Sequence, residues 1–233
     1  MSEKPVSFDP VWEREIYACG RHLNRYPFDI VVSFVYRYRP REKPHGETTI
    51  LEVGCGAANN LWFAAREGFR VSGVDASESA IAFARRRFAE DGLAADLRVG
   101  DFTALPFQDE VFDLVIDRGA LTCCGYSDAL RAISEIRRVL RTGGRFLFNP
   151  YSDRHSSRIA GRPGPDGLTL DISGGTLAGV GQLCFWRREQ LDEACAPGWE
   201  VLSLQHLCVE ELTEASAGTH AEWRVVLEKP SGV

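Results

Sequence analysis

Four carboxylates stand where apolar runs give way to turns: Glu52 in LEVGCGAANN, Asp75 closing RVSGVD, Asp101 just past DLRVG, and Asp117 closing VFDLVID. The first run breaks into Gly54, Cys55 and Gly56. A glycine-rich turn at the carboxyl end of a parallel strand lets a ligand approach the main chain, and the following helix offers unpaired N–H groups. Asp75 lies nineteen residues after Gly56, where a carboxylate accepts hydrogen bonds from both hydroxyls of a ribose. Taken alone, it would serve equally as a helix N-cap. Together the glycines and the acid predict a nucleoside site. A dinucleotide fingerprint needs a third glycine where Asn59 stands. Glu52 would also repel a pyrophosphate, so this turn suits a cationic ligand.

The elements that must hold these residues alternate. TTILEV reads as a buried strand, NNLWFAAREG as a helix stopped by Gly68, and RVSGVD as a second strand. A helix begins near Ser77, with Ile81, Ala84 and Phe88 on one face. DLRVG and Val111 to Asp117 are further strands. A helix through Ala129, Ile133, Ile136 and Leu140 is then stopped by Thr142 to Gly144, before the strand RFLFN. This order predicts an α/β, Rossmann-like doubly wound fold, its seven-stranded sheet mostly parallel with helices on both faces. Residues 45–233 form the domain proper. Within it, about 151–181 read as a loop-rich insertion, RREQLDEACAPG as a short helix, and EVLSLQHLCVEEL and HAEWRVVLEK as two long strands of unassigned order. Residues 1–44 read as an aromatic-rich helical extension. Tyr17, Asn24 and Tyr26 in it serve equally well as a lid or as packing.

Bulk properties narrow the function. A chain of 233 residues suits one α/β domain, and 44% apolar with 26% charged residues is ordinary for a globular protein. A net charge of -6 argues against a nucleic-acid partner. The polar start, Met1 to Pro10, has no apolar leader core, and no apolar run approaches eighteen residues. The seven cysteines contain no CxxC pair, so no metal site is expected and the thiols read as reduced, in a cytoplasmic protein.

The chain resembles the class I S-adenosylmethionine-dependent methyltransferases in LEVGCGAANN, VSGVDAS, VGDFTALPF, FDLVIDRGAL and LRTGGRFLFNP, in the family's order. That cofactor carries a sulfonium and an ammonium, which accounts for Glu52. The resemblance implies that Glu52, Gly54, Cys55 and Gly56 surround the methionine portion, with Asp75 and Ala76 at the ribose. Asp101 and Phe102 would hold the adenine, and Asp117 would lie near the methionine amine and the acceptor. Ala58 departs from the glycine that many relatives carry.

Methyl transfer is an in-line displacement, needing a base only if the nucleophile arrives protonated. No motif fixes that base. The candidates are Asp117, Tyr151 and His155, with His220 and Glu222 behind them. His155 reads first as a solvated loop histidine, and His220 and Glu222 as residues that face solvent. Cys123 and Cys124 read as core or pocket lining, and Arg118 as the partner of an anionic substrate or of a neighbouring acid. The expected activity is methyl transfer to oxygen or nitrogen of a small-molecule substrate, with no membrane or nucleic-acid partner. A protein or RNA methyltransferase, a non-catalytic binding module and a nicotinamide oxidoreductase are the rivals.

Overall fold

The computed structural model describes residues 8–196, 198–213 and 218–231; the first seven residues, on which part of the leader reading rests, lie outside them. A seven-stranded sheet has the order β3-β2-β1-β4-β5-β10-β9. Its parallel strands are β1 (Thr49–Val53), β2 (Arg70–Asp75), β3 (Asp96–Val99), β4 (Phe112–Asp117) and β5 (Leu140–Phe148). Strand β10 (Gly218–Glu228) runs antiparallel between β5 and β9 (Glu200–Glu211). The order left open by the sequence is thus settled, with the last strand inserted inside the sheet.

Alternation along the central strands builds the two faces. Ile50, Leu114, Ile116 and Leu147 point into one core with α1 (Asp29–Tyr38), α2 (Asn59–Arg66) and α3 (Glu78–Glu90). Leu51, Val115, Phe146 and Phe148 point into the other, against α4 (Tyr126–Val139) and α5 (Arg188–Cys195). Each strand is buried on both sides, as a parallel sheet requires. Among the described residues no helix is long and apolar enough to cross a membrane.

The helix expected to run through Leu140 and stop at the glycines ends sooner. Leu140 already pairs with Phe112 as the first residue of β5, and the register then jumps so that Arg145 pairs with Leu114. Gly143, with φ of 74°, turns the extra residues outward. The insertion forms a small antiparallel sheet of β6 (Arg162–Pro163), β7 (Leu168–Leu170) and β8 (Leu183–Cys184). Ile172, Leu177, Val180, Leu183 and Phe185 make a core of its own, packed against Trp12, Cys123 and Tyr151.

Candidate active site

The carboxyl ends of β1, β2 and β4 converge on one edge of the sheet. The chain leaves β1 through Gly54 (φ 60°) and Gly56 (φ 51°), and Ala58 enters α2 in the same left-handed region (φ 54°). That conformation carries a steric penalty for any side chain. A Cβ at Gly54 would overlap Ala120 of the loop after β4, and one at Gly56 would overlap the Tyr17 hydroxyl. These glycines therefore let the protein's own segments close around the turn, as well as exposing main chain to the cavity.

Asp75 ties this turn to α3. Its Oδ2 accepts from the Gly56 N–H and its Oδ1 from the Ser77 N–H, both at 2.8 Å. The N-cap of α3 is Ser77, whose Oγ accepts from the Ala80 N–H. Burial pushes the Asp75 carboxyl up to about 6. Asp75, Ala76 and Phe102 line a cavity of about 590 Å³ together with Gly54, Tyr17 and Trp12. Asp101 lies outside that lining, where its Oδ1 accepts from the backbone and hydroxyl of Thr103.

A second cavity of about 770 Å³ adjoins the first, sharing Trp12, Tyr17, Gly54, Arg118, Gly119 and Cys123. Glu52 is in its wall. Asn60 Nδ2 donates to Glu52 Oε1 at 2.6 Å, and Asn60 Oδ1 accepts from the Phe28 N–H. Glu52 Oε2 is buried with no hydrogen-bond partner among the described residues. Burial, with Asp117 and Asp75 nearby, pushes this carboxyl up to about 8 despite the Asn60 hydrogen bond. A buried carboxylate oxygen without a donor is a destabilised group that a bound cation would satisfy. The residues present therefore fit a ligand with an ammonium at this point. The Cys55 thiol packs beside Gly73 in the core, so only the backbone of Cys55 belongs to the turn.

Asp117 is fully buried and lines neither cavity. Its Oδ1 accepts from the Ala120 and Leu121 N–H groups at 2.8 and 3.0 Å, and burial pushes it up to about 6. The carboxylate thus holds the loop after β4 by its backbone and does not line either cavity.

Tyr151 does line the second cavity. An isolated bridge from Tyr151 to Glu222 prolongs the pairing of β5 with β10 and brings four candidates together. His155 is 1% exposed, contrary to the expected solvated loop residue. Its Nδ1 accepts from the Ser157 N–H, and its Nε2 lies 3.3 Å from both His220 Nδ1 and Thr176 Oγ1. Burial drives the imidazole down to about 4, so it is neutral and carries its proton on Nε2. Glu222 is likewise buried, contrary to the expected solvent-facing residue. It pairs with Arg118 at 3.5 Å, Arg224 at 2.7 Å and His220 at 3.3 Å. Burial would raise its carboxyl, but these partners hold it at about 2. Sequence polarity hid both residues, since each is covered by segments distant in the chain. His155 and His220 are absent from the cavity lining and act as a scaffold behind Tyr151.

Arg118 answers to the acid Glu222, and its guanidinium also stacks 4.2 Å over the Phe28 ring. Cys124 is core, whereas Cys123 lines both cavities. The segment before α1 crosses the site. Glu13 accepts from Ser77 and Ser79 on α3, and Asp9 accepts from the Gln182 N–H in the insertion. Tyr17 and Asn24 line the cavities, while Tyr26 points outward, 73% exposed. His22, Thr176 and Gly119 join the lining without having been singled out in the sequence. His22 carried one usable signal, its place within an aromatic-rich stretch.

Residues 50–144 match the family model described as a methyltransferase domain. A phthiotriol/phenolphthiotriol dimycocerosates methyltransferase of Mycobacterium tuberculosis is 36% identical over 118 residues, 49% of this chain and 41% of that protein. A malonyl-[acyl-carrier protein] O-methyltransferase of Methylococcus capsulatus is 38% identical over 104 residues, 44% of this chain and 36% of that one. The chain thus spans about two fifths of the length of these curated relatives. The crystal structure of a SAM-dependent methyltransferase from Methanosarcina mazei superposes with a TM-score of 0.66 at 18% identity, covering 89% of this chain and all of that one. Residues 50–144 are thus similar to a methyltransferase domain, and the fold as a whole to that of the Methanosarcina protein.

Proposed function

We propose that this chain is a class I methyltransferase, which binds S-adenosylmethionine across its two cavities and methylates an oxygen or nitrogen of a small molecule. One observation carries the reading: the buried, half-satisfied Glu52 carboxylate in the wall beside the glycine turn. When bound, the cofactor supplies an electrophilic methyl group on a sulfonium that departs as a neutral thioether. Glu52 takes the ammonium, Asp75 the ribose hydroxyls, and Ala76 and Phe102 the base. Asp101 closes the adenine end through its Thr103 turn. Asp117 fixes the backbone of the loop that carries Arg118 and Gly119. Trp12 and Tyr17, at the junction of the cavities, exclude water from the line of displacement.

The 1–44 extension acts as a lid on the 45–233 domain, since its Glu13 and Asp9 contacts span the site from α3 to the insertion. A cavity roofed by that segment and by Leu177, Val180 and Leu183 suits a small metabolite. The relative named for O-methylation of a carrier-bound malonyl group favours oxygen. We place the activity in the cytoplasm.

Calorimetry with S-adenosylmethionine and S-adenosylhomocysteine tests the reading. Both should bind the native protein, and Glu52→Gln should weaken binding by about 2 kcal/mol, the value of a hydrogen bond to a charged group. Equal affinity in the variant would remove the site assignment. No binding of either nucleoside, with NADH bound instead, would overturn the function.

A further inference from the structure

We propose that His22 is the proton acceptor for a neutral, hydroxyl-bearing aromatic acceptor seated in the second cavity, a role that rests on the methyl transfer proposed above. The cavity's character gives the substrate class. Its walls combine an apolar and aromatic part, Phe28, Leu177, Val180, Leu183, Trp12 and Tyr151, with a polar part that includes Asn24, Asn59 and Thr176; the first part stacks a ring and the second receives its polar substituent. The cation in the wall, Arg118, is already engaged by Glu222 and by the Phe28 ring. The wall carboxylate, Glu52, belongs to the cofactor's ammonium. An uncharged ring with a polar substituent fits what remains.

The titratable groups sharing the wall with His22 are Tyr17, Glu52, Cys55, Arg118, Cys123 and Tyr151. Each is unsuited to take a proton. Arg118 is a cation, and burial raises the two tyrosines and the two thiols. The imidazoles of His155 and His220 are spent on the scaffold behind Tyr151. His22 differs on every count. It is exposed at the cavity mouth, makes no hydrogen bond among the described residues, and is held edge-on against Trp12 with ring centroids 5.8 Å apart. Trp12 itself stands at the junction of the two cavities. His22 also keeps a left-handed backbone, φ 54°, a conformation that a non-glycine residue holds at an energetic cost and that is enriched at functional sites.

The transfer balances as follows. The acceptor oxygen forms a bond to the methyl carbon as the carbon–sulfur bond breaks, and that electron pair stays on sulfur. The hydroxyl proton passes to a free imidazole nitrogen of His22, which then releases it to water.

The backbone supplies the variant for the test, since glycine tolerates a positive φ and His22→Gly leaves a space that free imidazole can enter. Phenol and 4-nitrophenol serve as probes with S-adenosylmethionine. Methylation of phenol, which arrives protonated, should fall by about a hundredfold or more in His22→Gly and recover on adding imidazole. Methylation of 4-nitrophenol above its own ionisation should change little. A second readout needs no turnover. On the protein–S-adenosylhomocysteine complex, at a pH where 4-nitrophenol is mostly protonated in buffer, the native protein should bind it with a rise in phenolate absorbance that His22→Gly lacks. Equal loss with both phenols, or no rescue by imidazole, would overturn the role of His22. A native protein that binds the cofactor yet methylates neither phenol would overturn the substrate class. Absence of cofactor binding would instead refute the function beneath it.

Discussion

Strand β4 carries an acid at each end, and the two ends are built for opposite purposes. Asp113 accepts from Lys43 at 2.5 Å, Arg141 at 3.0 Å and the Thr49 backbone at 2.9 Å. Burial would raise its carboxyl, but these donors hold it below the ordinary range. Asp117, four residues along the strand, keeps one oxygen without a partner, and Glu52 across the β1–β4 pair does the same. Stability has been completed at the amino edge of the sheet and left incomplete at the carboxyl edge. Sites of binding are where a fold tolerates such unsatisfied groups.

Breaking the amino edge should therefore cost the most stability and no affinity. Asp113→Ala removes the acceptor shared by Lys43, Arg141 and Thr49. We expect a loss of about 3 kcal/mol, the low end for a broken buried pair, because the two cations are 33% and 38% exposed and can rehydrate. Denaturant midpoints measure it. Cofactor affinity of the folded variant should be unchanged, and a parallel drop in affinity would mean that the two edges are not independent.

The carboxyl edge should respond with the opposite sign. Glu52 sits at about 8 in the folded protein against about 4.5 unfolded. Between those values the folded state binds the extra proton, so its contribution to stability falls as pH rises. From pH 6 to pH 8 the ligand-free protein should lose about 2 kcal/mol through this group, with Asp75 and Asp117 adding to the fall at lower pH. Glu222, held at about 2, contributes stability above its unfolded value that is lost as pH falls toward 2. Thermal melts of native protein and Glu52→Gln at pH 6 and pH 8 check the sign, since the variant should show a flatter dependence. A native protein that gains stability over this range would contradict the unsatisfied carboxylate.

Saturation with S-adenosylhomocysteine should sharpen the contrast. Pairing of Glu52 with an ammonium favours its charged form, so binding releases a proton and tightens by up to about tenfold per unit of rising pH below 8. Above about 8 the ligand's own amine loses its charge and the gain stops. Calorimetry in two buffers of different ionisation enthalpy would detect the proton released.

The sequence disclosed the edge built from local pattern and concealed what distant segments assemble. Glu52, Gly54, Gly56 and Asp75 were readable because strand, turn and helix follow one another within about thirty residues, at a spacing the chemistry itself sets. The burial of His155 and Glu222 was not, since it depends on β10 entering the sheet beside β5 and on Phe185 and Thr176 of the insertion. Nor was the end of α4, where pairing of Leu140 with Phe112 overrides a glycine stop three residues further on. The hold of Asp117 Oδ1 on the loop after β4 and the free nitrogens of His22 are likewise properties of the assembled edge.

The smallest effect tests whether the carboxyl edge has a movable cover. Glu13 lies on the helical turn Trp12–Tyr17 and reaches the start of α3. It accepts from Ser77 Oγ at 2.5 Å and from Ser79 Oγ at 2.6 Å. Those hydrogen bonds hold its carboxyl below the ordinary range. Ser77 still caps α3 through the Ala80 N–H without Glu13, so Glu13→Ala should lower stability by only about 0.5 kcal/mol, below the full loss of a cap. Its consequence should appear in kinetics. Tyr17 and Trp12 follow and precede Glu13 on the same turn, and both line the cavities. Freeing that turn from α3 should speed dissociation of S-adenosylhomocysteine several-fold in stopped flow. Asp113→Ala, at the other edge, should leave this rate where it was. Equal rates in Glu13→Ala and the native protein would make the N-terminal segment fixed packing, as rigid as the amino edge, and the two ends of the sheet would then differ only in charge.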